Sequence, residues 1–89
     1  MKIKLALFGA SRDFSKNDHL ELDVKNKASI DDLRNEIIKY IEKNFQGNEN
    51  FIKVVKTSAF CSENNEIISD NYKITKNQKI GIIPPIGGG

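Results

Sequence analysis

The sequence closes on Ile86-Gly87-Gly88-Gly89 directly after Pro84-Pro85, and the chemistry this suggests belongs to a backbone end rather than a side chain. Glycine has no Cβ, so a Gly-Gly end can enter a narrow channel and bring the carboxylate of Gly89 to a reactive centre. Two prolines before it stiffen the exit. A carboxylate acylates poorly until it is activated, most simply as a mixed anhydride with AMP. A sulfur donor can then displace AMP and leave a thiocarboxylate, anionic near neutral pH and nucleophilic as a thiolate is. The opposing reading is an ordinary exposed chain end, since termini are often glycine-rich and poorly ordered. What separates the two is the kind of body that carries the tail.

That body is predicted from the hydrophobic pattern. Lys2 to Phe8 alternates with Ile3, Leu5 and Leu7 on one side, and His19 to Val24 alternates with Leu20, Leu22 and Val24, which predicts an antiparallel strand pair. Ser29 and Asp32 stand in an S-x-x-D relation at the start of a helix running to about Phe45. Ile30, Leu33, Ile37, Ile38 and Ile41 form its apolar stripe, and Arg34 falls mostly outside it. Phe51, Ile52, Val54 and Val55 fit a short helix or irregular core filler equally well.

Further strands are expected at Thr57 to Ser62, at Glu66 to Ser69 after an Asn64-Asn65 turn, and at Lys79 to Ile83, stopped by Pro84. A hairpin, a helix crossing one sheet face and a return strand parallel to the first make the β-grasp order. The expected class is α+β, a ubiquitin-like β-grasp with a mixed sheet of about five strands on one main helix. The division is a domain over residues 1–83 and a flexible Pro-Pro/Gly-Gly tail over residues 84–89.

Eighty-nine residues suffice for one domain and not for two. A 38% apolar and 29% charged composition is that of a globular chain, and no apolar run nears the roughly 18 to 20 residues of a membrane span. The charged, alternating start is unlike a secretory signal, so a cytoplasmic location is expected. The net charge of +2 is spread over scattered lysines, which argues against a nucleic-acid partner. One cysteine, Cys61, allows neither an internal disulfide nor a cysteine-ligated cluster, and it reads as a half-buried structural thiol. His19, on the polar face beside Glu21, lacks a second ligand, so no metal site is expected. Lys73, Lys76 and Lys79 read as a solvated edge. Arg12 could close a turn or pair with Asp13. No acid–base pair, nucleophile–base pair or phosphate loop is present.

Strand parity supplies a second constellation. If Leu7, Ile68 and Ile82 face the helix, then Phe8, Ile67 and Ile83 face away, on adjoining strands near the tail exit. Such an outer apolar patch suggests a partner protein, against the plain alternative of scattered surface hydrophobes.

Ile82-Ile83-Pro84-Pro85-Ile86-Gly87-Gly88-Gly89 resembles the P-P-[VI]-x-G-G ending of the small subunit of molybdopterin synthase, and Leu7-Phe8-Gly9-Ala10-Ser11-Arg12-Asp13 resembles that family's L-F-F-A-x-x-R-E start. The resemblance implies a sulfur carrier with no bound cofactor and no side-chain active site. An ATP-dependent adenylyltransferase would activate Gly89, and a sulfur donor would convert it to a covalent thiocarboxylate. The tail would then enter the synthase large subunit, in a heterotetramer, and deliver sulfur to cyclic pyranopterin monophosphate. Gly88 and Gly89 would carry the chemistry, and Pro84, Pro85, Ile86 and Gly87 would guide the tail. Phe8, Ile67, Ile83 and Arg12 would meet the partner. Gly87, Gly9 and Ile83 depart from the family's usual residues. Carriers of other pathways (thiamine, cysteine, tRNA thiolation) and ubiquitin-like modifiers share the Gly-Gly end, and a plain interaction module would use only the sheet.

Overall fold

A computed structural model describes residues 1–85. Strand β1 (Lys2–Leu7) pairs antiparallel with β2 (His19–Asp23), with Leu5 opposite Leu20 and Lys4 opposite Glu21. On its other side β1 pairs parallel with the last strand, and the five-stranded sheet has the order β2-β1-β7-β4-β5. Its remaining members are β4 (Ala59–Ser62), β5 (Ile67–Ile68) and β7 (Gln78–Ile83). The parallel pairing sets Leu5 beside Ile80 and Leu7 beside Ile82. The chain is a ubiquitin-like β-grasp, with a mixed five-stranded sheet and a helix packed on it.

The helix α1 (Ile30–Asn44) starts where the S-x-x-D pattern predicts. Ser29 Oγ accepts from the Asp32 amide at 3.0 Å, and the Ser29 amide donates to the Asp32 carboxylate at 2.9 Å, so two orphan groups of the first turn are satisfied reciprocally. Ile30, Leu33, Ile37 and Ile41 are fully buried and meet Ile3, Leu5, Leu7, Phe60, Ile80 and Ile82 from the sheet. Ile38 lies at the margin of this core.

The structure settles one reading left open by the sequence and departs from it elsewhere. The segment left open around Phe51 is a helix, α2 (Glu49–Thr57), opened by Asn48, whose side chain accepts from the amides of Asn50 and Phe51. Because that helix runs through Thr57, the following strand begins at Ala59 rather than Thr57. The strand expected over Glu66 to Ser69 shortens to two residues, since Asn65 takes a φ of 64° in the turn and the chain leaves the ladder after Ile68. The polar stretch after β1 is a 3-10 helix (Gly9–Phe14) that buries Phe14 and Ser11. Tyr40 donates to the Phe14 carbonyl at 2.7 Å, and Phe14 and Phe45 both pack on Phe51 with ring centroids 5.1 Å apart. A small second sheet, β3 (Ala28–Ser29) with β6 (Lys73–Ile74), ties the start of α1 to the segment before β7. Lys73 therefore lies in this ribbon and not on an edge of the main sheet. No helix among the described residues is long and apolar enough to cross a membrane.

Candidate functional site

The parallel pairing of β1 with β7 brings Phe8, at the end of β1, level with the residues that lead into Pro84 and Pro85. Alternation along the strands turns Leu7, Ile82 and Phe60 into the core, with Ile68 packed at its margin. Their neighbours Ala6, Gly81, Cys61 and Ile67 form a row across the outer face, each opposite the next. Ile83, half-buried, stands opposite Ala59 one step further toward the tail. Phe8 is 42% exposed and Ile67 69% exposed, the two large apolar side chains that this face offers to solvent. Away from the tail the same face turns polar, with Lys4 set between Glu21 and Lys79.

Gly9 has a φ of 56°, a left-handed conformation that glycine adopts without a side-chain penalty, and it turns the chain from β1 into the 3-10 helix. Pro84 is buried there, with its ring 3.8 Å from the point where Gly9 would carry a Cβ, while Pro85 is exposed. The chain therefore leaves the sheet from a packed proline beside the end of β1. Ile86, Gly87, Gly88 and Gly89 lie outside the described residues.

Cys61 is buried at 4% exposure, more fully than a half-buried thiol, although parity places it on the outer face. The Phe8 ring edge lies over the same spot: it and the Cys61 sulfur both stand 2.8 Å from the position a Gly81 Cβ would take. A glycine inside a strand signals such a close approach, and that clue was present at Gly81 in the sequence. Arg12 is exposed in the 3-10 helix and makes no ion pair among the described residues, so the Asp13 pairing does not form.

His19 is partly buried, not freely exposed, and its Nδ1 lies 2.9 Å from the Asp18 carboxylate. That hydrogen bond holds the Asp18 carboxyl below its ordinary range. Asp32 is likewise lowered, first by the hydrogen bond from the Ser29 amide. No cluster among the described residues has the three His, Cys, Asp or Glu side chains needed to hold a metal ion.

A family model described as the ThiS family matches residues 5–89. The chain belongs to the ThiS family. This membership makes it a member of a sulfur-carrier family and covers the tail as well as the β-grasp body. A search of curated protein sequences finds no match.

Among solved structures, this ThiS-family chain is similar to SAMP1 from Haloferax volcanii, with a TM-score of 0.68 and 15% identity over 100% of both chains. It is also similar to a putative molybdopterin converting factor, subunit 1, from Pyrococcus furiosus, with a TM-score of 0.69 and 23% identity over 96% of this chain and 98% of that one. A ubiquitin from Caldiarchaeum subterraneum gives a TM-score of 0.60 and 19% identity over 100% of this chain and 98% of that one. At these identities the likeness is one of fold.

Proposed function

We propose that this protein is the sulfur-carrying small subunit of a molybdopterin synthase, with the carboxyl end of Gly89 as its reagent. In this reading a carboxylate oxygen of Gly89 attacks the α-phosphate of ATP on an adenylyltransferase, releasing pyrophosphate. A sulfide-equivalent donor then attacks the acyl carbon and AMP leaves, so the end becomes a thiocarboxylate. In the pocket of a large subunit, which supplies the catalytic side chains, the thiocarboxylate sulfur bonds to a carbon of cyclic pyranopterin monophosphate and displaces an oxygen group. Water then cleaves the acyl–sulfur bond, leaving the sulfur on the substrate and returning Gly89 to a carboxylate.

The observation that carries the reading is the emergence of the Pro84-Pro85 exit beside Phe8 and Ile83, with Ile67 two strands away on the same sheet face. The five Cα–Cα steps from Pro84 to Gly89 extend at most about 18 Å, so a partner seated on that patch needs its reaction centre within that reach. Membership of the ThiS family supports the carrier chemistry, and the terminal Pro-Pro-Ile-Gly-Gly-Gly with the Pyrococcus furiosus likeness favours the molybdopterin branch. Pro84, Pro85, Ile86 and Gly87 guide the tail. Phe8, Ile67, Ile83 and Arg12 face the partner.

The test is intact-mass measurement after incubation with ATP, the adenylyltransferase and a sulfur source. A mass gain of sulfur for oxygen, absent when Gly89 is removed, supports the reading, and an unchanged mass overturns it. A second reading, a protein modifier joined to lysine amines through Gly89, is favoured by the likeness to small archaeal modifier protein 1 and to a ubiquitin. Ladders of larger conjugates in a lysate would select it over a dedicated carrier.

A further inference from the structure

Gly81 lies inside β7 without the left-handed backbone that would call for glycine. Glycine within a strand is otherwise unfavourable relative to alanine, because the unfolded chain loses more freedom and no side chain packs. The local reason is space: a Cβ there would stand 2.8 Å from Phe8 Cε2, 3.5 Å from Phe8 Cδ2 and 2.8 Å from Cys61 Sγ. The Phe8 backbone is also held, since its carbonyl accepts from the amide and the hydroxyl of Ser11, a residue with no exposed surface.

We propose that Gly81 is a positioning residue for the docking face: its missing side chain is the seat that holds the half-exposed Phe8 ring against the sheet, preformed for an apolar pocket on the activating enzyme. The proposal rests on the sulfur-carrier reading above. A ring already ordered in the free protein does not have to be immobilised on association, an advantage of about three- to tenfold in affinity for one side chain. The neighbouring Gly9 packs against Pro84, so the seated ring and the root of the tail share one footing. A partner that grips Phe8 thereby fixes where the tail begins.

The test uses Gly81→Ala, whose new methyl meets the far end of Phe8 and a thiol rather than backbone, so the ring has to swing aside. A Cys61→Ala background removes the sulfur contact and isolates the ring. In that background Gly81→Ala, Phe8→Ala and the pair are compared in ATP–pyrophosphate exchange on the purified activating enzyme of the same organism. Gly81→Ala is expected to raise KM about three- to tenfold while kcat holds, and to add nothing once Phe8 is alanine. A structural role alone would lower the active fraction and kcat instead.

A wild-type KM in Gly81→Ala, or two penalties that multiply, overturns the proposal. Should Gly81→Ala not fold, maleimide labelling of Cys61 decides: Phe8→Ala must speed it, and an unchanged rate removes the seat. Absence of any exchange with the parent protein would instead sink the sulfur-carrier reading, while labelling still reports on the ring.

Discussion

The Arg34 guanidinium carbon lies 5.2 Å from the centre of the Phe60 ring, which places a helix cation against an aromatic of the sheet's inner face. The same side chain, 13% exposed, donates to the Ser58 carbonyl at 3.1 Å and to Asp70 at 3.2 Å, and its other terminal nitrogen lies 3.5 Å from Asp31. Arg34 therefore ties α1 to the start of β4 and to the loop before β6. Charge-assisted hydrogen bonds at a largely buried site contribute about 1.5–3 kcal/mol. Arg34→Ala is expected to lower stability by about 2 kcal/mol in urea unfolding. Arg34→Lys should recover only part of this, because an ammonium cannot serve several acceptors as a planar fork does. Full recovery by lysine would show that charge alone matters there.

Removing the helix cap gives a smaller, separate effect. Ser29→Ala should cost about 1 kcal/mol, a fall in melting temperature of roughly 4–8 °C for a domain of this size. A loss confined to noise would mean that the small β3–β6 sheet fixes the helix start without help from the hydroxyl.

The capping box also carries a pH signature. The hydrogen bond from the Ser29 amide holds the Asp32 carboxyl below its ordinary value in the folded protein, so between the two values the folded state holds fewer protons than the unfolded state. Its stabilisation is present above the unfolded value and drains as the pH falls through the folded one. Melting curves between about pH 5 and about pH 3 should decline less steeply in Asp32→Asn than in the parent. Parallel declines would refute the linkage.

On the outer face, Ile67→Ser should change stability by no more than about 0.5 kcal/mol, since the side chain is 69% exposed. Binding to the activating enzyme, measured calorimetrically, should weaken about five- to tenfold if Ile67 belongs to the docking patch. An unaltered affinity would confine the patch to Phe8 and Ile83.

Extending the chain by one alanine after Gly89 displaces the carboxylate and adds a Cβ at the end. ATP–pyrophosphate exchange should vanish while thermal unfolding stays as in the parent. Retained exchange would show that the terminal glycine is not the group that reacts.

Much of the fold was legible because its strongest signals are local. The alternation of Ile3, Leu5 and Leu7, the Ser29-Asp32 cap and the Pro84 stop each act within a few residues of where they are read. The apolar residues Phe8, Ile67 and Ile83 followed from parity alone. What escaped depends on contacts between distant segments. Arg34 looks like a solvated residue outside the apolar stripe until Ser58, Phe60 and Asp70 are brought to it. The 3-10 helix that buries Phe14 is stabilised by Tyr40 and Phe51, neither of which is near in sequence. Phe51 itself sits in too short an apolar run for its period to separate helix from filler. Gly81 was readable as a place of close approach, but which side chain approached was not.

The parallel alignment of β1 and β7 has a practical corollary for handling the molecule. Met1, whose amino group donates to the Val24 carbonyl at 2.6 Å, sits at the end of the sheet opposite Pro84, a strand of six residues away. An affinity handle or fluorophore fused ahead of Met1 would project roughly 20 Å from the glycine exit and away from the Phe8 face. Amino-terminal labelling is thus the geometry that leaves the proposed reagent end and docking face clear.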